Sequence, residues 1–164
     1  MINDVNKKKL VLFDIDYTLF NTASFKKSDL SQYELYQEVI EVLEKVSKIA
    51  QLGIFSEGNN DFQRKKLLKT GILQHFTKDK IHIVENKEDF IDGIIKSYKD
   101  FKIFLVDDKI DILIQAKECD SSVYAIWVKR GPYAEDVELK DFRPDSVLTQ
   151  LADLENVIKK YGKK

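Results

Sequence analysis

Asp14 and Asp16 stand two positions apart in "KKLVLFDIDYTLFNT", residues 8 to 22, with Ile15 between them. Ser56 follows in "GIFSEGN", Lys87 in "VENKED", and Asp107 with Asp108 in "FLVDDKID". Each group closes or follows an apolar run. Carboxylates brought together in this way repel one another and rise in pKa unless a cation neutralises them, which implies a hard divalent ion. Oxygen ligands without a histidine or cysteine cluster favour Mg2+ over zinc. Phosphate oxygens are a natural further ligand. Ser56, Lys87 and nearby backbone N–H groups would neutralise and hydrogen-bond a phosphoryl group as its charge shifts.

Such a rim needs a frame that aligns several strand ends. Continuous apolar character predicts a buried strand over 9–15, further strands over 49–55, 102–106 and 122–128, and a weaker one over 80–84. Tyr36, Val39, Ile40, Leu43 and Val46 recur at helical spacing, predicting a helix over 33–48. Helices are also expected over 60–71, closed by Gly71, over 87–99 and over 109–118. Leu148, Leu151, Leu154, Val157 and Ile158 line a closing helix whose start Pro144 delays, by holding Arg143 extended. Strands alternating with helices predict an α/β fold with a mostly parallel sheet between helical layers. Ligands of such sheets bind beyond the carboxyl ends of the strands, where Asp14, Asp16, Ser56, Lys87, Asp107 and Asp108 would all gather.

The chain of 164 residues, 43% hydrophobic and 34% charged, fits one domain over 1–164 with its own core. A net charge of -1, from 27 basic and 28 acidic residues, does not produce the field of a nonspecific nucleic-acid binder. No membrane span or signal peptide is read, so the expected compartment is the cytoplasm. The lysine-rich "NKKK" and "KKYGKK" are expected to be solvated tails, and "EDVELKD" a solvated face. Cys119, the lone cysteine, is expected to be a free, inert thiol. His75 and His82 are isolated, and Trp127 suits the core.

"FDIDYTLF" resembles the first motif of the haloacid dehalogenase-like superfamily, an Asp-x-Asp-x-Thr loop after a hydrophobic strand. "GIFSEGN" is similar to its second motif, Lys87 sits where the third-motif lysine is expected, and "FLVDD" is similar to the acidic fourth. The resemblance implies a three-layer, Rossmann-like sandwich and an Mg2+-dependent phosphatase that hydrolyses a phosphomonoester. Asp14 would be the nucleophile that becomes an aspartyl-phosphate. Asp16 would protonate the leaving oxygen and then activate water, which requires the two pKa values to be pushed apart. The Ile15 side chain would turn away while its amide faces the phosphate, and Thr18 would steady the loop. Ser56, Glu57 and Lys87 would complete the phosphate site, with Lys78 and Lys80 as competitors for the lysine role. Metal ligands are expected from Asp14, Asp16, Asp108 and Asp107, with Asp108 ahead of Asp107. Asp111 either joins through hydrogen bonds or favours the helix dipole.

Two departures stand out against that pattern. Glu57 replaces the asparagine of many relatives and would oppose a phosphate unless turned aside or paired, and Tyr17 replaces a small residue and could narrow the entrance. Only residues 20–32 separate Leu19 from the expected helix at Tyr33, room for a loop or short helical flap rather than a cap domain. An open site implies that a large phosphorylated substrate, or a neighbouring subunit of a homo-oligomer, covers it. Arg130, Gly131 and Tyr133 lie in a loop at the same rim. Alternatives are a noncatalytic phosphate-binding or regulatory protein, or a phosphotransferase using the same intermediate. A response-regulator receiver is disfavoured because its acidic pair comes early and its lysine late.

Overall fold

Leu10, Val11, Leu12 and Phe13 expose no more than 1% of their surface, because β1 (Lys8–Phe13) runs down the middle of a sheet covered on both faces. The computed structural model describes residues 7–135 and 141–161. To one side of β1 lie β2 (Gln51–Glu57) and β3 (Ile81–Val84); to the other lie β4 (Phe101–Asp107), β5 (Tyr124–Val128) and β6 (Ser146–Leu148). Among the described residues the order is β3-β2-β1-β4-β5-β6, and every pairing is parallel. Chain order reverses beside β1, which makes its carboxyl end the place where flanking loops part and leave a crevice.

The helices are α1 (Thr22–Lys27), α2 (Val39–Val46), α3 (Asn60–Lys69), α4 (Lys87–Ser97), α5 (Ile110–Cys119) and α6 (Leu154–Tyr161). Alternation along β1 sorts its side chains between two cores. Val11 and Phe13 pack with Leu43 of α2, Leu67 of α3 and Ile158 of α6. Leu10 and Leu12 pack with Ile91 of α4 and Leu113 of α5. Three layers follow directly from that period of two. Among the described residues no cap domain is evident; α1, six residues long, stands where a cap would be inserted. No described helix is long and apolar enough to cross a membrane.

Several boundaries differ from the sequence expectations. The helix expected over 33–48 begins at Val39, because the preceding backbone pairs elsewhere: Asn21 N–H donates to Glu34 O over 2.8 Å and Tyr36 N–H to Leu19 O over 3.1 Å. The strand expected over 49–55 is displaced to Gln51–Glu57, in register with β1. Leu148 belongs to β6, a short strand beside β5, rather than to the closing helix, and Leu151 lies in a 3-10 turn before α6. Lys8 and Lys9 open β1 and pair with Phe101 and Lys102, while Lys159 and Lys160 belong to α6, so these lysines are not tails. Most of the expected solvated face of "EDVELKD", positions 136–140, lies outside the described residues, as do 1–6 and 162–164.

Candidate active site

The pairing of β1 with β4 does not stop at Phe13. Asp14 N–H donates to Val106 O over 3.0 Å, which seats Asp14 beside Asp107 at the end of the neighbouring strand. The chain then folds back tightly: the carbonyl of Ile15 accepts from the N–H groups of Thr18, Leu19 and Phe20 at 3.2, 3.0 and 2.9 Å. Tyr17 adopts φ 59 within this turn, a conformation costly for any residue but glycine, which accounts for the small residue expected there. The Ile15 side chain is buried in the core, away from the carboxylates on either side of it.

Lys87, first residue of α4, reaches the strand ends from the opposite layer. Asn86 caps that helix by accepting from Asp89 N–H. The Lys87 Nζ lies 2.8 Å from Asp14 Oδ1 and 2.6 Å from Asp107 Oδ2, and all three residues are buried. Burial alone would lower the lysine pKa; Asp107 and Asp14 override it and hold Lys87 firmly protonated. Of the three candidate lysines, only Lys87 meets these acids. Lys80 instead pairs with Asp79 at 3.2 Å, and Lys78 sits in the 3-10 turn before β3.

One ammonium does not satisfy the carboxylates around it. Asp14, Asp107 and Asp108 each place an oxygen within 4.8 Å of the others, and all three are buried. Burial pushes Asp14 up to about 6 despite the pull of Lys87. Burial, with Asp14 and Asp107 adding to it, pushes Asp108 up to about 10. Asp108 Oδ2 is buried with no hydrogen-bond partner among the described residues. An acceptor of that kind, within an all-oxygen cluster, fits a hard divalent cation. The Trp127 indole, buried in the core as its sequence suggests, also donates to Asp108 O over 2.9 Å and fixes the backbone of the cluster.

Asp16 stands outside the group of three acids whose carboxylate oxygens lie within 4.8 Å of one another. Its carboxylate accepts from Lys66 Nζ at 2.6 Å, Gln63 Nε2 at 2.8 Å and Thr22 Oγ1 at 2.9 Å. Burial alone would raise its pKa, but Lys66 with these donors brings it below the ordinary carboxylate value. The pKa values of Asp14 and Asp16 are therefore pushed apart, in the opposite sense to the expectation, because burial and the neighbouring Asp107 outweigh Lys87 at Asp14, whereas Lys66, Gln63 and Thr22 outweigh burial at Asp16. Neither Lys66 nor Gln63 carries a signal in the sequence. Both lie on α3 at helical spacing, and the reach of their side chains depends on where that helix packs.

The remaining expected site residues divide. Ser56 is fully buried and receives Gln63 Nε2 at 2.9 Å, a link to Asp16 rather than an opening on the cavity. Thr18 is buried, and its hydroxyl lies 3.5 Å from Asp14 Oδ2, while its N–H steadies the turn. Glu57 lines the cavity but is neutralised: Oε2 accepts from Lys87 N–H at 2.9 Å and Oε1 lies 3.5 Å from Lys109 Nζ. Burial alone would raise the Glu57 pKa; these partners lower it. Asp111 is exposed in the first turn of α5, as a residue favouring the helix dipole would be. His82 meets Tyr98 OH at 2.6 Å, and His75 lies in a 3-10 turn; neither joins the cluster. Arg130 holds the loop instead of facing the cavity. Its guanidinium donates to Tyr17 O at 3.2 Å and to Thr18 O, pairs with Glu38 at 2.6 Å and stacks 3.6 Å above Tyr36.

Asp14, Asp16, Lys66, Lys87 and Asp108 all border one cavity of about 390 Å³. No protein-family model matches the chain, and no curated protein does. Solved structures do. A protein described as a haloacid dehalogenase-like hydrolase from Burkholderia xenovorans LB400 superposes with TM-score 0.77 at 18% identity, over 94% of this chain and 98% of that one. The HAD-hydrolase YfnB from Bacillus subtilis, bound to magnesium, gives 0.74 at 10% identity over 93% and 99%. The L-2-haloacid dehalogenase from Xanthobacter autotrophicus gives 0.70 at 13% over 93% and 98%. The order of the strands, the cluster at their carboxyl ends and these superpositions together place the chain in the haloacid dehalogenase-like fold.

Proposed function

We propose that the protein is an Mg2+-dependent hydrolase of phosphomonoesters, working through an aspartyl-phosphate on Asp14. The observation that carries this reading is the buried cluster of Asp14, Asp107 and Asp108, with its donorless Asp108 Oδ2. These three residues would hold the ion, whose positive charge would oppose that of the phosphoryl oxygens. Lys87 keeps Asp14 and Asp107 at fixed separation and adds a second positive charge.

An Asp14 oxygen attacks phosphorus, the bond from phosphorus to the ester oxygen breaks, and the leaving oxygen takes a proton from Asp16. Asp16 rests ionised beside Lys66; the arrival of a phosphate dianion raises its proton affinity by like-charge repulsion, so that it takes from solvent the proton it donates, and the proton it later gains from water returns to solvent. Water then attacks the acyl phosphate, its proton passes to Asp16, and phosphate leaves with Asp14 restored. The sum is ester plus water giving alcohol plus phosphate. Neutralisation of Glu57 by Lys109 and the α4 N-terminus weakens the objection that a carboxylate there would repel substrate.

Phosphate release from a panel of phosphomonoesters in the presence of Mg2+ tests the proposal. Turnover is expected with the native protein and not with Asp14→Asn. Folded protein that releases no phosphate, or that releases chloride from a 2-haloacid and nothing from the esters, overturns it.

A further inference from the structure

Among the described residues, three of the seven large hydrophobic side chains that stand exposed border a single cavity: Leu30 at 53%, Phe62 at 41% and Tyr133 at 45% exposure. Leu30 is held there against backbone preference. It follows α1 with φ 62, directly after Asp29 at φ 52, so two consecutive non-glycine residues occupy the left-handed region. The turn is pinned by Leu30 N–H donating to Phe25 O over 2.9 Å. Strain that presents an apolar side chain to water gains nothing for the core, and it is retained where something covers that side chain. Phe25, beneath it, packs at 6.0 Å from Phe62 and completes an apolar wall.

The polar inventory of the same cavity is narrow. Its charged groups are the acids Asp14, Asp16, Glu57 and Asp108 together with four lysines, and no asparagine, glutamine, serine or histidine lines it among the described residues. Thr22, its one aliphatic hydroxyl, already donates to Asp16 and accepts from Tyr17 N–H at 3.1 Å. A sugar bound here would trade its water for few hydrogen bonds, whereas a flat apolar group would cover Leu30 and Phe62.

We infer that the substrate is the phosphate ester of an alcohol bearing an aromatic group, seated with its ring on the wall of Phe25, Leu30 and Phe62 and its phosphate toward Asp14 and Lys87. This inference rests on the proposed hydrolase reading for its chemistry, but the wall itself can be tested by binding. Hydrolysis follows the balance already given, with the aromatic alcohol as the leaving group.

Benzyl phosphate and glucose 6-phosphate both release a primary alcohol, so their comparison isolates recognition. A kcat/KM at least about tenfold higher for benzyl phosphate is expected, the order of discrimination that an apolar pocket gives. Leu30→Asn suits the left-handed backbone and relieves strain, so the folded protein should be no less stable while the preference collapses. In parallel, titration calorimetry with benzylphosphonate and methylphosphonate in Mg2+ should show tighter binding of the aromatic ligand, lost in Leu30→Asn. Equal binding of the two phosphonates, equal use of the two esters, or a preference that survives Leu30→Asn overturns the inference. Selective binding of benzylphosphonate without any phosphate release overturns hydrolysis and leaves the aromatic site standing.

Discussion

Lys66 donates to Asp16 over 2.6 Å, joining a helix to a strand end 50 positions away in the chain. The lysine Nζ also lies 4.9 Å from the Phe62 ring centre and 5.1 Å from that of Phe20, so its charge is shielded from water and directed at one carboxylate. Lys66→Met is expected to lower kcat/KM by about tenfold to hundredfold, part of the roughly hundredfold to ten-thousandfold that a positioned acid-base group contributes. Removal of the cation raises the pKa of Asp16, which must hold a proton to donate it to the leaving oxygen, so the alkaline limb of the kcat/KM profile should move to higher pH, and Lys66→Arg should restore part of both. A unchanged profile in Lys66→Met would separate Asp16 from proton transfer.

Lys87 carries a structural burden as well as a chemical one. Lys87→Met leaves Asp14 and Asp107 buried without their ammonium, a change of the kind that costs about 3–5 kcal/mol. Urea unfolding at pH 7 should show a loss of that size, reduced on addition of Mg2+. Equal stability of variant and native protein would mean that the acids are protonated or solvated.

The crowding of Asp14 and Asp108 predicts a pH dependence of known sign. Their carboxyls are raised from 3.8 to about 6 and about 10, so the folded protein keeps protons that the unfolded chain releases. In EDTA, stability should be fullest below about pH 3.8 with respect to these two groups, fall as pH rises through about 6, and continue falling toward about 10. A divalent ion competes with those protons. The rise in Tm produced by Mg2+ should therefore be larger at pH 8 than at pH 5, and Asp108→Asn should stabilise the EDTA-treated protein while shrinking that rise. A Tm indifferent to Mg2+ at both values would remove the metal from the cluster.

Gly131 and Tyr17 form a second linked pair at the cavity edge. A Cβ on Gly131 would lie 2.5 Å from Tyr17 Cδ1, and the residue itself has φ +77. Gly131→Ala is expected to cost about 1–3 kcal/mol through both effects. Adding Tyr17→Gly removes the collision and the cost of the positive φ at position 17, leaving only the backbone cost at position 131. A double-mutant cycle in urea should show that recovery; strict additivity would locate the cost in the backbone alone.

Local pattern carried much of the site. Asp14, Lys87, Asp107 and Asp108 are legible because apolar runs end beside them, and a parallel sheet brings its carboxyl ends to one edge whatever the loops do. Cap absence was legible too, since thirteen residues, 20–32, leave room for α1 and little else. Boundaries were less so: nothing local in Tyr33–Glu38 announces that its backbone pairs with the turn after β1. β6 has three residues and no alternation long enough to read.

By itself the sequence determined which acids share a rim and that a cation suits them, because strand ends and charge are local properties of the chain. Tertiary structure alone decided that Asp16 pairs with Lys66, that Ser56 faces Gln63, and that Leu30 and Phe62 form one wall. Those relationships depend on how far long side chains reach between packed elements, and on the low-dielectric space between them, neither of which is written in any single segment.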